Sequence, residues 1–366
     1  MQPHTATEQI AISEMPVWEQ ARKDRVLLSV VLDLTARCNN DCCHCYINLP
    51  ADDPAAKTRE LTLDEIKTII DQSVSLGALW FVLSGGEPLL RPDFSDIYVY
   101  LKKKGLLVSV FTNASLITDE HIKLFKKYPP RDIEVTVYGT TPQVHKKVTG
   151  KKTFAATMNG IDLLLSASLP VTLKTTLMKY NISQLDKISD FCRSKSDLPF
   201  RFDPFLQLRL DKNPVKNETI RSQRLTPDEI IRIEKNDPQR YQALKQKCKT
   251  MALEPSDKTQ PLFKCQAGIN SCAIGFDGTY KLCPSLSNNH CTLDLKKDTL
   301  DHAWNTFTPM VLNIMPTDPV YKKTCGACTR HDICSWCPAH ADLETNRLDG
   351  HVQYFCDIAE KRHRMI

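Results

Sequence analysis

The 366 residues contain no run approaching the ~18 uncharged apolar residues that a membrane helix needs, so no membrane partner is expected. Met1 to Glu19 lacks a basic stretch followed by an apolar one, so no secretory signal is expected and the chain reads as cytoplasmic. No internal repeat is visible, which excludes solenoids and propellers. Charge of one sign is also scarce: 48 basic against 43 acidic residues leave +5, too little to argue for nucleic acid as a partner. Apolar content of 42% and charged content of 25% are ordinary for a globular chain and exclude wholesale disorder, collagen and coiled coil. What the sequence has in excess is cysteine, at 15 residues. Reducing compartments disfavour disulfides, so closely spaced cysteines in such a chain point to metal binding or redox chemistry.

Strand-like and helix-like segments alternate along residues 27–210. Residues 27–35 are short, apolar and β-branched, as a buried strand should be. Thr62 and Glu65 form a capping box that opens a helix to about residue 76. Further strands are expected over residues 79–83, 107–111, 133–138, 171–177 and 199–205, with helices over 94–104, 119–127, 154–166 and 185–192 between them. Gly105 is placed to stop one of these helices. Six such β-α units, less a final helix, predict a parallel sheet with right-handed crossovers, either doubly wound or an incomplete barrel. Periodicity does not separate the two.

Four regions follow. Residues 1–26 read as an N-terminal extension, 27–210 as the α/β unit, and 211–260 as a polar helical bridge begun by Thr226, Pro227 and Glu229. Residues 261–366 form a cysteine-rich unit holding nine of the 15 cysteines. So small a unit with few long apolar runs needs help to fold, and metal would supply it.

Two clusters sit just after predicted strands, where barrel enzymes place their chemistry. Cys38, Cys42 and Cys45 give the spacing C-x3-C-x2-C. Three thiolates on one short loop can hold three corners of a cubane iron–sulfur cluster, leaving the fourth iron open to an outside ligand. A zinc site completed by His44 or a distant residue, and a ferredoxin-like cluster completed by a remote cysteine, compete with this reading. The second element is Ser84, Gly85, Gly86, Glu87 and Pro88, whose glycines allow close backbone approach to a ligand.

The cysteine triplet and the Gly-Gly-Glu-Pro segment together resemble the radical S-adenosylmethionine (SAM) superfamily over about residues 27–205. The resemblance implies a partial (β/α)6 barrel of the TIM type. It implies a 4Fe–4S cluster on Cys38, Cys42 and Cys45, with SAM chelating the open iron. One electron then cleaves SAM to methionine and a 5′-deoxyadenosyl radical that abstracts hydrogen. An external donor of flavodoxin or ferredoxin type would supply the electron. Further cofactor contacts implied by position are Ser84, Gly85, Gly86 and Glu87, Thr112 and Asn113 after the third strand, His44, and Lys147, which stands where family members have an arginine.

Cys265, Cys272 and Cys283 surround Asp277 and Gly278, a hairpin signal, and Cys325, Cys328, Cys334, Cys337 and Cys356 follow. Paired C-x2-C spacings also suit a zinc ribbon. The order resembles the SPASM domain appended to many radical SAM enzymes, although Cys334 and Cys337 are one residue closer than in that pattern. The resemblance implies an auxiliary 4Fe–4S cluster I on Cys265, Cys272, Cys283 and Cys337. It implies an auxiliary cluster II on Cys325, Cys328, Cys334 and Cys356. Cys43, Cys192, Cys248 and Cys291 receive no role. No catalytic acid or base is named, since His121 and His145 suit surface helix positions equally well.

Radical SAM enzymes with this appendage act mainly on peptides or proteins, by crosslinking, epimerisation or oxidation. That reading leads. It calls for a separate peptide-recognition protein or direct binding at the barrel mouth, because only 37 residues precede Cys38. Sulfatase maturation is disfavoured because Pro284, not an aspartate, follows Cys283. The alternative enzyme reading is oxidation or decarboxylation of a small molecule: a tetrapyrrole side chain, sugar or antibiotic precursor. A non-catalytic iron–sulfur electron carrier and a tRNA-modifying enzyme are the readings from other classes.

Overall fold

The computed structural model of the chain describes residues 16–250 and 260–365. The first 15 residues of the expected N-terminal extension, and residues 251–259 of the expected bridge, lie outside the described residues. Eleven strands are described: β1 Ser29–Thr35, β2 Arg37–Cys38, β3 Leu49–Pro50, β4 Trp80–Gly85, β5 Leu107–Thr112 and β6 Asp132–Thr136 come first. β7 Val171–Thr176, β8 Arg201–Asp203, β9 Ser271–Ile274, β10 Thr279–Lys281 and β11 Thr292–Asp294 follow. Nine of them make one sheet in the order β11-β10-β9-β1-β4-β5-β6-β7-β8.

From β1 to β8 every neighbouring pair is parallel and the spatial order follows the chain order. A doubly wound sheet must reverse its order at a switch point. This one does not, so the alternation seen in the sequence resolves as a singly wound, open, partial barrel. Helices Leu63–Ser75, Phe94–Lys103, Asp119–Lys127, Phe154–Ser166 and Leu185–Lys195 are the crossovers. Their starts follow the sequence: Thr62 caps the first through the expected box with Glu65, and Gly105 turns the chain after the second with φ of 79°. Helix Pro142–Thr149, capped by Thr141, was not expected as an element.

Strand alternation divides the sheet into two faces. Val30, Leu32, Leu34, Phe81, Leu83, Val108, Val110, Ile133, Val135, Val171 and Leu173 bury against the helices and build the main core. The opposite, inner face is polar. There Glu134 pairs with both Lys174 and Arg201, and the Lys174 ammonium lies 4.2 Å from the centre of the Phe111 ring. The Trp80 indole N–H donates to Ser109 Oγ at 2.8 Å, beneath the Arg131 guanidinium at 4.1 Å from its ring. An inner wall of charges and hydrogen-bonding groups suits a ligand chamber better than a packed barrel centre.

The sheet crosses the boundary expected near residue 261. β9 pairs in parallel with β1, setting Val30 opposite Cys272, and β10 returns antiparallel through the Asp277-Gly278 turn, where Gly278 has φ of 88°. The cysteine-rich segment therefore enters the barrel as additional strands and does not sit beside it as a separate layer. Helices Pro214–Gln223, Pro227–Asn236 and Pro238–Thr250 occupy the expected bridge, and Thr226 and Glu229 form the capping box of the second. Among the described residues, no helix is long and apolar enough to cross a membrane.

Asp33 is the exception on β1. It is buried on the inner face, its Oδ1 has no hydrogen-bond partner, and burial raises its carboxyl pKa to about 6. Lys281 opposes that shift and Asp277 adds to it. Because the folded pKa lies above that of the unfolded chain, ionisation favours unfolding as pH rises from about 4 through 6. Asp33→Asn is expected to abolish this part of the pH dependence, gaining at most about 3 kcal/mol above pH 7. Urea titrations of the iron-free protein at pH 5 and pH 8 check it; equal stability of wild type at both values would refute the assignment.

Candidate radical SAM site and cysteine groups

The loop carrying Cys38, Cys42 and Cys45 leaves β1 at its carboxyl end and returns at β3. Its glycine-rich neighbour packs directly against it. A Cβ on Gly85 would stand 2.2 Å from the Thr35 carbonyl oxygen, and one on Gly86 would stand 2.3 Å from that of Arg37. The Gly86 N–H donates to Thr35 O at 2.7 Å and the Glu87 N–H to Arg37 O at 2.9 Å. The close approach that these glycines permit is therefore to the root of the cysteine loop. Ser84 lies beside them, opposite Asp33 on the inner face.

Glu87 is buried, and its carboxylate is taken up within the protein. It accepts hydrogen bonds from Leu89 N (3.1 Å), Thr112 Oγ1 (2.8 Å) and Asn113 N (2.7 Å). Burial nevertheless outweighs these donors and raises its pKa to about 7. Asn113 is held so that its Nδ2 donates to Asn39 Oδ1 at 2.8 Å and lies 3.8 Å from Cys38 Sγ. Glu87 thus orients Thr112 and Asn113, and Asn113 grips the loop. Lys147, expected as a cofactor contact, is exposed on Pro142–Thr149. That helix reaches the loop through its last carbonyls: Cys43 N donates to Val148 O at 2.9 Å and Asp41 N to Thr149 O at 2.8 Å. Carbonyls at a helix end lack intrahelical donors and are free to accept.

Arg209, just beyond β8, was not singled out by sequence. It is buried, donates to Asn48 Oδ1 (2.8 Å), Cys45 O (3.2 Å) and Asn48 O (3.2 Å), and is balanced by Asp211 at 2.7 Å. The next residue's N–H, Leu210, donates to Tyr46 O at 3.0 Å. Nothing local in the sequence couples residue 209 to residue 45. Tyr138 was also missed, although it ends an expected strand. Its ring meets that of His44 edge-on at 5.1 Å, and burial, then Cys42, Cys45 and Cys38, hold its phenol protonated.

The donor set fits an iron–sulfur cluster. Cys42 is raised first by burial and then by Cys45 and Cys38, so the three thiols lie close enough to act on one another. Burial likewise lifts Cys38 to about 12. Thiolates so disfavoured need cationic metal to form. Two backbone N–H groups already point at their sulfurs, Asn40 N to Cys38 (3.4 Å) and Asn48 N to Cys45 (3.3 Å), as sulfur ligands of clusters require. The His44 Nδ1 is buried without a partner, an orphan consistent with a bound group beside it. Burial depresses the His44 pKa to about 4, so the ring is neutral. Cys43 points elsewhere, 3.8 Å from Met178 Sδ in a small apolar cluster.

All 15 cysteines are free thiols. Among the described residues, no three His, Cys, Asp or Glu side chains gather closely enough for a single metal ion. Two further groups of cysteines emerge in the C-terminal segment. Cys325, Cys328, Cys334 and Cys356 line one cavity of about 210 Å³. Cys325 and Cys356 share a hydrogen bond that lowers the first thiol and raises the second, while Cys356 and Cys328 act on Cys334. In the other group, Cys283 and Cys265 both act on Cys337, and Cys265 acts on Cys283. Cys337 therefore stands with Cys265 and Cys283 despite its shortened spacing. Cys272 is 1% exposed in the main core, against which Cys283 and Cys337 also pack, and burial alone raises its thiol. Cys272 and Ile274 lie on one face of β9, while Ala273 and its partner Lys281 take the other. Cys192 and Cys291 are also core residues.

The open parallel sheet carries a triplet of mutually close thiols at the end of its first strand, a donor set that fits an iron–sulfur cluster. Residues 32–192 match the model of the Radical SAM superfamily. A 4Fe–4S cluster and SAM are the cofactors of that superfamily, and Cys38, Cys42 and Cys45 are the residues that fit its cluster. The chain is 26% identical over 340 residues to the AdoMet-dependent heme synthase of Methanosarcina barkeri, spanning 86% of this chain and 92% of that protein. The Fe-coproporphyrin III synthase of the same organism is 32% identical over 162 residues, 44% of this chain and 40% of that one. Among solved structures, Streptococcus suis SuiB bound to S-adenosylmethionine matches with a TM-score of 0.66 at 14% identity, over 96% of this chain and 84% of that one. The structure of anSMEcpe with bound AdoMet matches with a TM-score of 0.65 at 16% identity, over 93% of this chain and 92% of that one. These two likenesses show the fold.

Arg209→Ala is expected to loosen the cysteine loop by about 2–3 kcal/mol, the loss of a buried charged donor set. Iron bound at the first site should fall several-fold, seen as a weaker electron paramagnetic resonance (EPR) signal from the reduced cluster. Arg209→Lys, which cannot reproduce the forked contacts, should recover only part of it. An unchanged signal in the alanine variant would remove Arg209 from the loop's support.

Proposed function

We propose that the chain oxidises a small molecule bearing carboxylate side chains, with a tetrapyrrole propionate as the substrate class. This reverses the order of the two enzyme readings drawn from the sequence. The observation that carries it is the likeness to the heme synthase, which runs through both the barrel and the cysteine-rich segment. Two auxiliary iron–sulfur sites belong to the same reading, one on Cys325, Cys328, Cys334 and Cys356, the other on the group around Cys337.

A cavity of about 300 Å³ between the end of β8 and the C-terminal segment supports it. It is lined by Asp203, Gln207, Arg224, Ser285, His340 and Glu344 among apolar neighbours such as Phe205 and Leu343. Ser285 lies two residues from Cys283 and His340 three from Cys337, so the cavity adjoins an auxiliary thiol group. Gln207 accepts from Ser285 Oγ at 2.6 Å, yet its Nε2 is buried without a partner, as is His340 Nδ1. Unpaired buried polar atoms of this kind suit the oxygens of a bound polar side chain. The volume fits a side chain or small molecule.

When bound, the cluster and SAM supply the radical that removes one hydrogen atom. Loss of carbon dioxide from the resulting propionate radical forms the vinyl double bond and releases one electron, which an auxiliary site would accept. The chain's own residues hold the cofactor loop, shield the chamber and present polar groups to the substrate. An external one-electron donor is needed to start each turnover.

Anaerobic reconstitution with iron, sulfide, SAM and dithionite tests the proposal, using Fe-coproporphyrin III as the probe. The expected result is 5′-deoxyadenosine together with a porphyrin that has lost one carbon dioxide and two hydrogens per reacted arm. Porphyrin left unchanged while an added peptide is modified would overturn this reading in favour of peptide modification. Absence of SAM cleavage by fully loaded protein would argue for an electron carrier.

A further inference from the structure

We propose that the face bearing Lys146, Lys147, Lys151 and Lys152 is the docking surface for an acidic one-electron carrier protein, which delivers its electron past Gly150 to the first cysteine group. The proposal rests on the reading that Cys38, Cys42 and Cys45 hold a reducible cluster, and is independent of which substrate the chain takes.

Charge is the first support. No acidic residue occurs between Glu134 and Asp162, and the four lysines fall within one short stretch of that interval. Helix Pro142–Thr149 buries His145 and Val148 and leaves Lys146 and Lys147 exposed; Lys151 and Lys152, just beyond its end, are exposed as well. None of the four makes an ion pair among the described residues. Helix Pro214–Gln223 shares one small apolar cluster with Val148 through Ile220, and it adds Lys216 and Arg221 against Glu218. The loop's own exposed acid, Asp41, is already paired with Lys216 at 2.8 Å. Cations left uncompensated on one face draw in an acidic partner, speed its encounter and fix its orientation.

Position is the second. Gly150 stands between the two lysine pairs, is exposed, and ends the helix with φ of 67°. A Cβ there would meet Asp41 O at 2.9 Å, so the glycine lies with its backbone directly on the cysteine loop. The amides on either side of Cys42, those of Asp41 and Cys43, donate to Thr149 O and Val148 O. A partner resting on the lysines therefore meets Gly150 and Asp41, and the next residue is Cys42. Electron transfer between proteins requires their centres to come close, and a missing side chain at residue 150 shortens the gap. In this step the carrier loses one electron and the cluster gains it, with no bond made or broken. Nucleic acid, the other polyanion that lysines attract, would gain nothing from lying against the cysteine loop.

The test follows 5′-deoxyadenosine formation by the full-length reconstituted protein, driven either by chemically reduced flavodoxin, an acidic one-electron carrier, or by dithionite, which needs no docking. Changing Lys146, Lys147, Lys151 and Lys152 together to Gln should raise the KM for flavodoxin about tenfold and flatten its salt dependence. The dithionite-driven rate and the KM for SAM should stay at wild-type values. A control with the same charge change, Gln at the exposed Lys103, Lys123, Lys126 and Lys127, should leave the flavodoxin KM unchanged. An unaltered flavodoxin KM in the first variant, or an equal rise in the control, would overturn the proposal. So would a weakened SAM KM under dithionite, which would return Lys147 to the cofactor. Should the variant fail to fold, carbodiimide crosslinking of flavodoxin to wild-type protein decides: crosslinks at Lys146–Lys152 are expected, and crosslinks confined to other lysines refute. Salt-sensitive binding of a short RNA that displaces flavodoxin would assign the face to nucleic acid instead. Absence of SAM cleavage with dithionite by iron-loaded wild type would sink the cluster reading itself, a result that needs no flavodoxin to observe.

Discussion

Three thiols on one short, half-buried loop oppose their own ionisation: burial disfavours each negative charge and each charge disfavours the next. The metal cluster resolves that repulsion, but only if the loop is already in shape when iron arrives. Much of the surrounding architecture serves this end. The loop root is pressed between Gly85 and Gly86, Asn113 holds its start, the end of Pro142–Thr149 holds its middle, and Arg209 holds its return. These supports come from four separate crossovers of the barrel, so the site exists only once the sheet is complete.

This arrangement places the Gly-Gly-Glu-Pro segment in a supporting position. Its glycines admit the neighbouring chain, and its glutamate, raised towards neutrality by burial, organises the next strand end. Motif residues can thus govern a cofactor site by shaping the backbone that touches it. The polar inner face, with Glu134 shared by Lys174 and Arg201, continues the same logic away from the loop. Its charged groups are paired within the protein, one carboxylate meeting two cations.

The sequence carried the barrel strands well because each is a short apolar run flanked by polar crossovers, and observed limits fall within a few residues of those expected. The cysteine triplet was legible for a different reason: its spacing is local, and local spacing survives without a structure. Arg209 and Tyr138 were not, since their relation to the loop exists only after strands far apart in the chain align. A spacing pattern also counts residues and is blind to the face of the strand on which a residue such as Cys272 lands. Cys337 shows the converse, for its altered spacing suggested doubt while the fold returns it to Cys265 and Cys283.

The parallel pairing of β9 with β1 bears on how the two halves of the chain can exist apart. β1 is the strand from which the cysteine loop springs, and on one flank it pairs with a segment 242 residues later. A shortened chain ending before residue 271 would leave β1 as a naked edge, open to a foreign strand or to another molecule of the same kind. The hairpin thus extends the open sheet past β1 and covers that edge.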